Sequence, residues 1–144
     1  MIEDAKEAIK NSSQESSIYV GCDSIRYKKN GVWWASYCIV IILHKDSKHG
    51  CKLFQNTVKY KDFGNMKQRL MFEAQLAIET TLEIIDVVGD RHIEIHMDIN
   101  PDPRHKSSVA VKEALSWAMS FGVIAKIKPE AFAATHAADH LVRR

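Results

Sequence analysis

Four carboxylates stand where an α/β protein concentrates chemistry. Asp23 follows the apolar run Ile18-Tyr19-Val20-Gly21-Cys22, and Asp98 follows Ile93-Glu94-Ile95-His96-Met97. Both runs read as strands, and the carboxyl ends of parallel strands are a common place for ligands. Glu73 interrupts a helical apolar stripe that includes Leu70 and Ala77. Asp139 lies one helical turn after His136, with His140 beside it. Close carboxylates repel and raise one another's pKa unless a cation sits among them. Magnesium suits such a set because it takes oxygen ligands and keeps several waters. A pair of divalent ions ~4 Å apart is the arrangement that activates water and stabilises the leaving oxygen of a phosphodiester. Singly, each acid also has an ordinary reading: Asp23 and Asp98 as turn formers, Glu73 as a side chain reaching solvent, and Asp139 as a solvated helix residue. Their conjunction is the signal.

The elements that must hold these residues follow from periodicity. A short helix over Ile2–Ile9 precedes a polar loop, Asn11 to Ser17. Strands follow over Ile18–Cys22, Val32–Leu43 and Lys52–Tyr60. Asn30-Gly31 is a hairpin signal, because both residues tolerate positive φ. The period then becomes helical from Met66 to Val88, with Leu70, Ala74, Ala77, Thr81, Ile84 and Val88 on one side and Gly89 as the stop. A fourth strand over Ile93–Met97, a helix over Val109–Phe121 capped by Ser107-Ser108, a fifth strand over Val123–Ile127 and a last helix over Ala131–Val142 complete the chain. The order βββαβαβα predicts an α/β fold with a five-stranded mixed sheet and helices on both faces. We divide the chain into an N-terminal helix and polar loop, 1–17, and a single domain, 18–144.

Bulk properties set limits. The 144 residues suffice for one core, and 46% hydrophobic with 26% charged residues is ordinary for a soluble domain. No apolar run reaches the ~20 residues of a membrane span, and the N-terminus is too acidic for a signal peptide, so a cytoplasmic protein without membrane partners is expected. A net charge of +2 permits a nucleic-acid partner without demanding one. Cys22, Cys38 and Cys51 have neither disulfide nor zinc spacing and read as small buried thiols.

The acids and their element order resemble the ribonuclease H-like superfamily, whose acids lie on the first strand, the first helix, the end of the fourth strand and the last helix. A closer resemblance is to its YkuK-type group. It is carried by Tyr19-Val20-Gly21-Cys22-Asp23-Ser24, by Ile93-Glu94-Ile95-His96-Met97-Asp98-Ile99, and by Ala125-Lys126-Ile127-Lys128-Pro129 leading into Ala133-Ala134-Thr135-His136-Ala137-Ala138-Asp139. The chain departs from that pattern at Ile25 and in the segment from Asn100 to Lys106. The resemblance implies a metal-dependent nuclease hydrolysing RNA, RNA/DNA hybrid or DNA with Mg²⁺ or Mn²⁺. Asp23, Glu73, Asp98 and Asp139 are then the metal ligands and catalytic acids, with His136 near them. The alternative is a non-catalytic nucleic-acid- or protein-binding module on the same scaffold.

Lys126, Lys128, Arg104 and Lys106, with His105, Arg143 and Arg144, can line a phosphate track or be ordinary solvated cations. The hairpin-tip residues Tyr27, Lys28 and Lys29 carry the same two readings. Of Trp33 and Trp34, one is expected in the core, leaving the other free to stack on a base. His96 reads as a structural histidine or as a group positioning water or phosphate. His136, Asp139 and His140 also have zinc-ligand spacing, and Asp102 is either a turn residue or a spare ligand. An exposed edge strand in the meander leaves homodimer or protein pairing open.

Overall fold

The computed structural model describes residues 1–47, 50–97 and 109–126. Helix α1 spans Ile2–Lys10 and is followed by strands β1 (Ser17–Lys29), β2 (Val32–His44) and β3 (Cys51–Lys61). Then come helix α2 (Met66–Val88), strand β4 (His92–His96), helix α3 (Val109–Ser120) and strand β5 (Ile124–Lys126). The strands form one sheet in the order β3-β2-β1-β4-β5. β1, β2 and β3 are antiparallel, while β4 joins β1 and β5 joins β4 in parallel. This is the mixed α/β sheet expected. The helix expected over 131–142 lies outside the described residues.

The β1–β2 hairpin is the longest feature of the sheet, pairing without a break from Ser17↔His44 to Lys29↔Val32. Its turn is Asn30-Gly31, with φ of 52° and 78°. Two successive positive φ angles give a turn whose twist matches that of the strands it joins. The hairpin corrects one expectation. Asp23 does not end the first strand, because β1 continues to Lys29. The polar residues Asp23, Ser24 and Arg26 look like a strand end. β2 nevertheless supplies a full-length partner, and pairing overrides local propensity. What does stop near Asp23 is the other neighbour: the described β1–β4 ladder ends at Gly21↔His96.

Alternation assigns the two faces of the sheet. Ile18, Val20 and Cys22 of β1, Tyr37, Ile39, Ile41 and Leu43 of β2, and Ile93 and Ile95 of β4 face one core. Ala5 and Ile9 of α1, Ala74, Ala77, Ile78, Ile84 and Val88 of α2, and Ala118 of α3 close it from above. α2 starts at Asn65, whose side-chain oxygen accepts the Gln68 N–H at 2.8 Å. It ends at Gly89, with φ 59°. No helix among the described residues is long and apolar enough to cross a membrane. Cys22 and Cys38 are buried, whereas Cys51, expected to be buried, is exposed because it opens the edge strand β3.

Arg91 locks the helix ends together. Its buried guanidinium donates from Nε to the Ser13 carbonyl at 3.1 Å and from Nη1 to Val87 and Val88 at 3.1 and 3.2 Å. Nη2 donates to Ser12 at 2.7 Å and to Lys10 at 3.4 Å. The last carbonyls of a helix have no partner within it and carry partial negative charge, so one cation satisfies the exits of both α1 and α2. Arg91→Met should cost about 3 kcal/mol in urea unfolding, since charged hydrogen bonds vanish and buried carbonyls are stranded. A loss below about 1 kcal/mol would show that the clamp is ornamental.

Candidate active site

Asp23 and Ser24 are consecutive on β1, so their side chains leave opposite faces of the sheet. Ser24 faces α2, where its Oγ donates to Glu73 Oε2 at 2.6 Å. Its backbone N–H donates to Asp23 Oδ1 at 2.9 Å. One residue therefore holds both acids, one through its side chain and the other through its main chain. Glu73 is 3% exposed, so the reading in which it reaches solvent is overturned. It belongs to the apolar stripe because Ser24 receives it there.

The surroundings register this negative charge. The Cys22 thiol is pushed well up, first by burial and then by Glu73, Cys38 and Asp23. It stays a protonated thiol at neutral pH and is no nucleophile. Tyr37 stands opposite Ser24 on β2. Burial, reinforced by Glu73 and opposed by Arg69, pushes its hydroxyl up to about 12. Its ring packs edge-on against Phe72 and Tyr60, with centroids 4.8 and 6.2 Å away. Among the described residues, Tyr37 Oη, Arg69 Nε and Asp62 Oδ1 are buried without a hydrogen-bond partner. The other Asp62 oxygen accepts from Arg26 Nε at 3.0 Å.

Sequence reasoning missed Ser24, Tyr37, Asp62 and Arg69 as members of this neighbourhood. Arg69 was within reach, since it precedes Glu73 by one helical turn. Tyr37 required the hairpin register. Asp62 required the pairing of β3 with β2.

On the opposite face, His96 is fully buried and Nε2 donates to Glu94 Oε1 at 2.9 Å. Burial holds its pKa down, against the raising influence of Glu94. It is a satisfied histidine of the sheet. Lys126 sits beside His96 in the β4–β5 ladder and is partly exposed. Asp98, Asp139, His136, Lys128, Arg104 and Lys106, together with Asp102 and His140, lie outside the described residues. Of the expected set, Asp23 and Glu73 lie among the described residues, on opposite faces of the sheet and linked through Ser24, and Lys126 lies two strands away from β1.

Carboxylate oxygens such as those of Asp23 and Glu73 are donors of the kind that Mg²⁺ and Mn²⁺ accept. The described residues contain no group of three or more His, Cys, Asp and Glu side chains close enough to hold a metal. They supply two acids of the four, Asp23 and Glu73, each hydrogen-bonded to Ser24.

A family model described as Ribonuclease H-like matches residues 1–143. No curated protein matches the chain. Among solved structures, the crystal structure of native prototype foamy virus protease-reverse transcriptase is similar, with a TM-score of 0.48 at 9% identity. The match covers 90% of this chain and 20% of that one.

The Tyr37 hydroxyl yields a test of the site's polarity. The unfolded chain loses this proton near its ordinary value of 10, while the folded protein holds it to about 12. Stability from this group is complete below pH 10 and is lost as pH rises from 10 towards 12. Tyr37→Phe should remove that loss. It should leave the neutral-pH melting temperature unchanged or higher, because it deletes a hydroxyl that finds no partner. A drop of more than about 2 kcal/mol at pH 7 would mean that the hydroxyl is bonded after all.

Proposed function

Because this chain belongs to the ribonuclease H-like family, we propose that it is a divalent-metal-dependent nuclease that hydrolyses phosphodiester bonds in nucleic acid. Within the family we assign it to the YkuK-type group, on the three stretches that resemble it. The observation that carries the nuclease reading is the joining of Asp23 and Glu73 through Ser24. A buried glutamate next to a strand aspartate is costly as a purely structural choice, since burying charge is unfavourable without compensation. As a cation ligand it has a purpose.

In this reading Asp23 and Asp98 hold the ions. What supports that pair is the parallel register, in which Gly21 stands beside His96 and each acid follows its strand partner by two residues. Glu73 binds one ion and orients the attacking water, and Asp139 completes the second position with His136 near the acidic centre. Bound there, Mg²⁺ or Mn²⁺ supplies the Lewis acidity that phosphodiester hydrolysis requires. Ser24 fixes the rotamer of Glu73, so the carboxylate is set before substrate arrives. Lys126, Lys128, Arg104 and Lys106 are assigned to the phosphate backbone, which supplies most sequence-independent affinity.

The test is cleavage. Purified protein with Mn²⁺ or Mg²⁺ is incubated with labelled single-stranded RNA, single-stranded DNA, RNA/DNA hybrid and DNA duplex, beside Asp23→Asn and Asp98→Asn. Wild type should cut at least one substrate, and both variants should lose more than about 100-fold in rate while keeping the wild-type melting temperature. Full activity in Asp23→Asn would end the assignment. Absence of cleavage, with binding unchanged by either substitution, would establish a binding module in its place.

A further inference from the structure

The distal half of the β1–β2 hairpin carries a feature that the acidic site does not use. Beyond Ser24, the same side of β1 presents Arg26 and then Lys28. Their ladder partners are Ala35 and Trp33. The Arg26 guanidinium carbon lies 4.3 Å from the centre of the Trp33 ring, and Lys28 Nζ lies 5.8 Å from it. Arg26 is fixed there by Asp62, which holds its Nε at 3.0 Å. Tyr60, the ladder partner of Ala35, shares this face. Trp33 is 44% exposed, Tyr60 46% and Phe63 44%. This also corrects the expectation that one of the two tryptophans is core: Trp33 is exposed and Trp34 only half-buried, because both sit at the hairpin tip.

A tryptophan left in water with two cations over it is expensive in exposed apolar surface. The arrangement has a natural ligand, however. Bases stack on aromatic rings and on guanidinium planes, while neighbouring cations meet the phosphates. The charge complements nucleic acid, since Arg26, Lys28 and Lys29 occur within one strand end. Geometry gives the direction. At roughly 3.4 Å per residue, Lys28 lies about 14 Å along β1 from Ser24, which holds both acids. Stacking of this kind needs unpaired bases, because a duplex buries the base faces.

We propose that the Arg26–Lys28–Trp33 face of the hairpin binds single-stranded nucleic acid by base stacking and leads the strand along β1 towards Ser24, which links Asp23 and Glu73. The inference deepens the nuclease reading and rests on it only for what lies at the end of the track. The stacking itself is independent of metal.

Binding is therefore measured in EDTA, where no cleavage occurs, by fluorescence anisotropy of labelled single-stranded RNA, single-stranded DNA and duplex DNA of one length. Trp33→Ala should weaken single-strand binding about tenfold and change duplex binding less than about twofold. Lys28→Ala should lower the slope of log affinity against log salt by ~0.7, one phosphate on a single strand. Trp117→Ala, on α3, should bind like wild type. Should Trp33→Ala fail to fold, Trp33→Leu keeps bulk without the ring and takes its place. Single-strand affinity of the Trp33 variant within twofold of wild type overturns the proposal. So does an equal loss on duplex, or no measurable single-strand binding by wild type. Cleavage by wild type in manganese with none of this stacking would sink the track and spare the nuclease. Stacking without cleavage would do the reverse.

Discussion

The candidate site depends on one constraint, the two-residue alternation of β1. Cys22 and Ser24 must face the helices if Ile18 and Val20 do, and Asp23 must then face away. Glu73 comes from the helix side, so the strand would separate the two acids if nothing joined them. Ser24 joins them by using its hydroxyl toward Glu73 and its amide toward Asp23. A slip of one residue in the hairpin register would exchange the faces and put Asp23 or Ile25 where Ser24 meets Glu73.

The remaining structure holds that register and the helix above it. The Asn30-Gly31 turn fixes the hairpin from its far end, and the unbroken ladder to Ser17↔His44 carries the phase through Asp23. α2 is set at its start by Asn65 and at its end by Arg91, which also secures the exit of α1. Rotation of α2 would move Glu73 off Ser24, so clamps far from the acids bear on their geometry. β4 ends its described pairing beside Gly21, so β1 beyond that point is paired to β2.

Much of this was legible in the sequence where one physical signal dominated. Helical period and caps gave Met66–Val88 to the residue, and Asn30-Gly31 gave the hairpin, since each rests on local chemistry. The end of the first strand was misread because Asp23, Ser24 and Arg26 are polar, and the partner that keeps the segment extended lies across a turn. Cys51 and the tryptophans were misjudged because burial depends on which strand is an edge and where the helices stop. Asp23 and Glu73 were legible as candidates. Their joint through Ser24 was not, because strand-to-helix contacts cannot be read from spacing. The positions of Asp98, Asp139 and His136 fall outside the described residues.

The central proposal is that Asp23 and Glu73, both held by Ser24, each contribute to divalent-cation binding. Titration of the protein with Mn²⁺, followed through the electron paramagnetic resonance signal of the free ion, tests it without any choice of substrate. Wild type should withdraw manganese from solution, and Asp23→Asn and Glu73→Gln should each weaken that uptake about tenfold or more while remaining folded. Uptake by both variants equal to wild type, or none by wild type at millimolar manganese, would contradict the account.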